Sequence, residues 1–232
     1  MAGHSKWKNI QRTKSTNDQL RSKEFAKLVR AIELAAQSGS DPKLNPSLAD
    51  AIDRAKKQNL PKDRIERAIS KGSGNSNTGQ KIEKIIYEGY GPHGVMLLVE
   101  CLTDNKNRCF TELKTFFGKN NCKLVEEGSI SWRFCELGMI ELDGEIGDGL
   151  LAKLIEIDGI TDITAEDGLI YTNPSMLNSV KEKVRSFCGN IKDFKICWKS
   201  REKQVFSNSQ LEEIHNFISK LHTLNDVEEI WW

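Results

Sequence analysis

The sequence predicts an α+β protein with a helical domain first and two sheet-containing domains after it, one inserted into the other. Three observations carry that expectation. Apolar residues recur at helical spacing as far as Gly72, and a Gly/Ser/Asn-rich stretch from Gly72 to Gly79 then breaks the pattern. Beyond it, strand and helix signals fall into two β-α-β-β-α-β sets, the ferredoxin-like arrangement. The expected domains are residues 1–76, a discontinuous 77–136 with 204–232, and an inserted 137–203.

Residues 15–72 read as three helices. Thr16-Asn17-Asp18-Gln19 has capping-box spacing, and Phe25, Leu28, Val29, Ile32, Ala35 and Ala36 then share one helical face, with Gly39 as the stop. Asn45-Pro46 supplies an N-cap and a first-turn proline for the second helix, with Asp50/Arg54 and Asp53/Lys57 as i,i+4 pairs. Pro61 opens the third, which turns Ile65, Ala68 and Ile69 inward and ends at Gly72. Helices this short need tertiary packing to persist, so a bundle is implied.

Val95–Leu102 is a continuous apolar run, as a buried central strand requires. Asn105–Lys119 is helical, with Asp104 expected as its cap, and Lys123–Glu126 and Ser129–Phe134 read as short strands about Gly128. A second set follows: strand Met139–Leu142, helix Gly149–Glu156, strands Ile160–Thr164 and Leu169–Thr172, helix Met176–Phe187 and strand Lys192–Trp198. Helix Ser209–His222 and strand Asp226–Trp232 remain, and they complete the set begun by residues 85–135. One continuous mixed sheet would leave these last two elements at an edge, so insertion is the preferred layout.

The 232 residues are 38% hydrophobic and 29% charged, as in ordinary globular proteins, and the net charge of +1 conceals a division. Residues 1–74 hold 16 Lys/Arg against 8 Asp/Glu, a net of +8, and the remainder carries −7. No acidic residue precedes Asp18, whereas the arm carries His4, Lys6, Trp7, Lys8, Arg12 and Lys14. Lys23, Lys27 and Arg30 continue the charge along the first helix, on the face opposite its apolar stripe. These nine residues are the candidate nucleic-acid contacts. On charge alone a solvated tail fits equally, and Trp7 could either stack on a base or anchor the arm by burying its ring.

Other chemistry has little support. Six dispersed cysteines without C-x-x-C suggest free thiols in a reducing compartment, and no apolar run approaches a membrane span. The start is polar and basic rather than a secretory signal, and Ala2 excludes myristoylation. Gly89-Tyr-Gly91-Pro-His-Gly94 spells G-x-G-x-x-G, but it precedes a strand where a dinucleotide site needs a helix. His215 and His222 share a helix without a metal-ligand register. No catalytic residue, metal, cofactor or small-molecule substrate is expected.

Met1-Ala2-Gly3-His4-Ser5-Lys6-Trp7 with Asn9-Ile10, Asp41-Pro42, Asn45-Pro46 and Pro61-Lys62-Asp63 form an ordered motif series. Tyr87-Glu88-Gly89-Tyr90-Gly91-Pro92 and Thr103-Asp104-Asn105 with Asn107-Arg108 extend it. Across residues 1–135 these motifs resemble the YebC/PmpR family and its mitochondrial relative, the translational activator of cytochrome c oxidase subunit one. The resemblance implies three domains and a non-enzymatic regulator of gene expression that binds promoter DNA. It equally allows a translation factor acting on ribosomal RNA or on ribosomes stalled at proline-rich stretches. From the charge division, a third possibility is a protein-interaction scaffold built on the acidic domains. The expected compartment is the cytoplasm, or the mitochondrial matrix for a eukaryotic source. His93 departs from the family pattern, standing where a glycine is usual.

Overall fold

A computed structural model describes residues 21–74, 81–188, 190–202 and 204–232. The Thr16–Gln19 capping box, most of the linker and the basic arm lie outside the described residues. Helix α1 covers residues 21–36, followed by α2 (Pro46–Lys57) and α3 (Lys62–Gly72). Leu28, Ile32 and Ala36 of α1 share a core with Leu48, Ile52 and Ala55 of α2 and Ile65 and Ala68 of α3.

Asn45 explains how α1 hands over to α2. Its side-chain oxygen accepts from the Leu48 N–H at 3.1 Å, and its amide nitrogen donates to the Ala35 and Gly39 carbonyls at 2.8 Å each. One buried side chain therefore serves orphan groups at both helix ends. Gly72 permits a close approach, since a Cβ there would lie 2.2 Å from the Glu33 carbonyl oxygen. The nearest cation to Asp53 is Lys56, at 4.0 Å, rather than Lys57.

After the linker come β1 (Glu83–Tyr90), β2 (Met96–Thr103), α4 (Lys106–Lys119) and β3 (Lys123–Val125). Then follow β4 (Phe134–Leu142), α5 (Asp148–Ile155), β5 (Ile160–Thr164), β6 (Leu169–Thr172), α6 (Leu177–Cys188) and β7 (Ile191–Ser200). The chain closes with α7 (Asn208–Leu221) and β8 (Val227–Trp231). Two compact units result: the described residues through Glu126 with Phe206–Ile230, and Glu127–Val205 with the last two residues.

In the first unit the sheet order is β3-β1-β2-β8. Val95 and the β2 residues Leu97, Val99 and Cys101 pack with Cys109, Leu113 and Phe117 of α4 and Ile214, Phe217 and Leu221 of α7. Phe117 and Phe217 meet edge to face at 5.4 Å, which locks the two helices over the sheet. The order of elements corrects one expectation. Ser129–Phe134 is not a strand of this sheet: Gly128 has φ +86°, and Ser131–Arg133 forms a 3-10 turn closed by the Arg133 N–H on the Ile130 carbonyl. Ile130, Trp132 and Phe134 alternate like strand residues, but Trp132 is 61% exposed because the turn throws it outward. Its expected place is filled by β1, which forms an antiparallel hairpin with β2, so this unit runs β-β-α-β-α-β.

The second unit keeps the β-α-β-β-α-β order, with a sheet β5-β6-β4-β7 and antiparallel neighbours throughout. Ile140, Ile170, Leu154, Val180 and Val184 form its core beneath α5 and α6. Strand β4 begins at Phe134, five residues before the expected Met139, because the preceding turn delivers the chain directly into the β7 register.

Candidate nucleic-acid interface

His4, Lys6, Trp7, Lys8, Arg12 and Lys14 lie outside the described residues. Lys23, Lys27 and Arg30 are spaced i, i+4, i+7 and follow one side of α1 toward the end of α7. Lys23 Nζ donates to the Thr223 carbonyl at 2.9 Å and Lys27 Nζ to the His222 carbonyl at 3.4 Å. Arg30 donates to the Asn225 carbonyl and sits 3.2 Å from Asp226. Helix C-termini carry unsatisfied carbonyls and partial negative charge, so three cations suit this position. Burial pushes the Lys27 ammonium below the ordinary lysine range, opposed by the nearby Glu228 and Glu229. The face opposite the apolar stripe is thus a second packing face.

Asp226 is the anchor of that contact. Its carboxylate is 3% exposed and accepts from Thr103 Oγ1 at 2.8 Å and Arg108 Nη2 at 2.8 Å, beside Arg30. Hydrogen bonding to Asp226 raises the Arg108 guanidinium still further above its ordinary value. Arg108 also reaches Asp104 at 2.9 Å. That pairing explains a second correction. Asn105, not Asp104, caps α4, accepting the Arg108 N–H at 3.0 Å, because Asp104 turns its carboxylate to the side chain one helical turn ahead.

The outward side of the bundle carries a different cationic group. The guanidinium groups of Arg21 and Arg64 lie 5.3 and 5.8 Å from the centroid of the Phe25 ring. Arg64 and Arg67 are exposed on α3, and Lys71 pairs with the buried Glu33 at 2.9 Å. Lys62 and Arg67 pair along the helix with Glu66 and Asp63 at 3.6 and 3.5 Å. The i,i+4 spacing of Arg21 and Phe25 was the sequence signal for this group, although only the fold brings Arg64 to it.

The Gly-rich loop closes the β1–β2 hairpin through a 3-10 turn and leads into a strand, which removes the helix N-terminus that a pyrophosphate needs. His93 has φ +57° and ψ +18°, a left-handed conformation in which glycine is favoured, and this accounts for the usual family residue. Here His93 Nε2 lies 2.9 Å from Glu213 of α7. Gly89 is needed for another reason: a Cβ would meet the Phe117 ring at 2.7 Å.

Among the described residues the six cysteines are free, and no group of three or more His, Cys, Asp or Glu side chains could hold a metal ion. No described helix is long and apolar enough to cross a membrane.

Comparison with known proteins agrees with this architecture over both parts of the chain. Residues 5–75 match the TACO1/YebC protein N-terminal domain, and residues 82–232 match the TACO1/YebC second and third domain. The "Probable transcriptional regulatory protein jk1057" of Corynebacterium jeikeium is 37% identical over 236 residues, 100% of this chain and 94% of the relative. A "Probable transcriptional regulatory protein" of Fervidobacterium nodosum is 40% identical over 237 residues, 100% of this chain and 92% of the relative. The crystal structure of the conserved hypothetical protein Aq1575 from Aquifex aeolicus superposes with TM-score 0.81 at 36% identity, covering 91% of this chain and 90% of that one. Motifs, fold and full-length identity agree: the chain belongs to the TACO1/YebC family, the YebC/PmpR family of the motif comparison.

Proposed function

We propose that this protein is a nucleic-acid-binding, non-enzymatic regulator of gene expression that acts on promoter DNA in the cytoplasm. The observation that carries the reading is the cationic edge of the bundle, where Arg21 and Arg64 lie over Phe25, with Arg67 exposed on the same helix as Arg64 and the basic arm next to Arg21 in sequence. Guanidinium groups and an aromatic ring suit phosphate and base faces together. The names of the relatives favour transcription. His4, Lys6, Trp7, Lys8, Arg12 and Lys14 supply the arm's contacts in this reading. Lys23, Lys27 and Arg30 add to the field mainly by holding the bundle against α7.

A second reading, a translation factor on ribosomal RNA, draws on one feature of α3. Its Lys62 and Arg67 are shared with Glu66 and Asp63, and its Arg64 leans on Phe25. That arrangement serves phosphate contact better than a row of side chains aimed at base edges in a major groove. Shape and phosphate recognition suffices for structured RNA. Crosslinking in cells followed by sequencing of the bound nucleic acid separates the two. Enrichment of promoter DNA is the expected result, and ribosomal RNA in its place would move the protein to translation. Recovery of no nucleic acid would overturn both and leave the acidic scaffold. In vitro, replacing Lys6, Lys8, Arg12 and Lys14 with alanine should flatten the log–log salt dependence by about 0.9 per lost phosphate contact on duplex DNA.

A further inference from the structure

Two cavities of about 1170 and 470 Å³ adjoin in the first unit, and Arg30 and Asp104 line both. The smaller runs between α1 and α3 under Arg64 and Arg67, and the larger follows the exposed side of α4 to Lys119, facing the Leu224–Asp226 turn. Together they make one groove that starts at the cationic edge of the bundle. Its walls mix apolar side chains such as Phe116 and Leu224 with amides, hydroxyls and guanidinium groups. Here α4 presents exposed Asn107, Thr111 and Thr115 at successive turns, and Asn225 is exposed across from them.

The charge along this groove is arranged by internal pairing. Glu33 is held by Lys71 at 2.9 Å, Asp104 by Arg108 at 2.9 Å, and Asp226 by Arg108 and Arg30 at 2.8 and 3.2 Å. Three of the four lining carboxylates are thereby neutralised. The fourth, Glu112, shares the larger cavity with Lys119, and Arg64 and Arg67 line the smaller one. Arg67 shares Asp63 only across an exposed 3.5 Å pair, which water screens strongly. The 14-residue α4 also points its N-terminus into the groove at Asn105, adding partial positive charge.

We infer that this groove seats a single strand of nucleic acid, with phosphates along Arg64, Arg67 and Lys119. The carboxamides of Asn107 and Asn225 then meet base edges or sugar hydroxyls. A strand follows such a channel turn by turn, whereas a duplex would span its rim and leave the amides unused. The inference rests on the nucleic-acid reading above, but not on the choice between DNA and RNA.

The test measures binding of the full chain to fluorescein-labelled 15-nucleotide single-stranded RNA, single-stranded DNA and duplex DNA at fixed salt. Thr111→Glu/Thr115→Glu puts two carboxylates on the α4 wall, and Thr111→Gln/Thr115→Gln matches their size without charge. Ser179→Glu/Ser186→Glu, on exposed positions of α6, controls for net charge. The wall glutamates should weaken single-strand binding at least tenfold, with the glutamine and α6 variants within twofold of wild type. Unchanged affinity for the wall glutamates, while the arm variant loses binding, overturns the groove and leaves the proposed function standing. Equal losses for the glutamine or α6 variants overturn it too, as does a loss confined to the duplex. If the wild-type chain binds none of the probes, the nucleic-acid reading itself fails and takes the groove with it.

Discussion

The two sheets have the same arrangement of neighbours, β8-β2-β1-β3 matching β7-β4-β6-β5, yet their central strands are buried differently. Every residue of β2 is buried, whereas along β4 buried positions such as Phe134, Gly138, Ile140 and Leu142 alternate with more exposed ones. A strand covered on both faces reads as a continuous apolar run, and a strand covered on one face alternates. The units also differ in continuity. The second closes within one stretch of chain, while the first waits for α7 and β8 to return from beyond residue 205. Asp226 ties that returning segment to β2 through Thr103, to α4 through Arg108 and to α1 through Arg30. In the interrupted unit one carboxylate thus joins three elements to the returning segment.

The most widespread effect should come from breaking that tie. Asp226→Ala removes the carboxylate shared by Arg30, Arg108 and the buried Thr103 hydroxyl. Because both arginines keep access to water, the cost is about 1–3 kcal/mol, that of a buried polar group left without its partner. Hydrogen exchange should show lost protection in α4, α7 and β8 with β4–β7 unchanged. Equal loss in both sheets would mean that the units do not unfold independently, and the contrast between them would fail.

Burial on two faces against one can be tested by a matched pair. Leu98 is 0% exposed on β2, on the side away from α4 and α7, and Leu137 is only half-buried on β4. Leu98→Ala should cost about 2–5 kcal/mol in denaturant unfolding, as truncations of fully buried leucine do. Leu137→Ala should cost less than about 1.5 kcal/mol, because less apolar surface leaves water there. Similar losses at the two positions would remove the distinction.

A smaller change is expected at the hairpin of the first unit. Left-handed backbone costs a non-glycine residue about 1–2 kcal/mol, and glycine returns roughly 0.5–1 kcal/mol of that in chain entropy. The partly exposed His93–Glu213 contact contributes little against it. His93→Gly should therefore raise unfolding stability by about 0.5 kcal/mol, and a clear loss would show that the Glu213 contact matters more than the backbone.

The smallest effect belongs to the second unit and depends on pH. A hydrogen bond from Lys199, 2.8 Å away, holds the Asp162 carboxyl below its ordinary range, with the Ile163 N–H assisting. A depressed folded-state value means the stabilisation is complete above the unfolded aspartate pKa of about 3.9 and disappears as pH falls through the folded value. Both partners are largely exposed, so the contribution is slight. Asp162→Asn should flatten the acid limb of the second unit's melting temperature below about pH 4, and it should leave β2 and β8 protection untouched. An unchanged acid limb would discount the pair.

Much of this fold was legible locally. Asn45-Pro46 announced the start of α2, Pro61 and Gly72 bracket α3, and the Val95–Leu102 run matches β2 within a residue. The second sheet followed from pattern because its elements are consecutive. Ser129–Phe134 misled because a 3-10 turn with Ile130 and Phe134 inward has the same alternation as a strand. Asp104 misled because Asp and Asn cap equally well, and only Arg108 and Asp226 decide which one turns inward.

By itself the sequence determined the helical and strand periods, the charge division between the first 74 residues and the rest, and the family motifs. These are properties of neighbours along the chain, set by backbone geometry and side-chain spacing. Only the tertiary structure decided that Lys23, Lys27 and Arg30 meet carbonyls some 195–200 residues away, while Arg21 and Arg64 close on one ring. A cation's spacing tells which side of a helix it occupies. What that side faces depends on which distant helix end is brought there, and that is settled by packing of the whole unit.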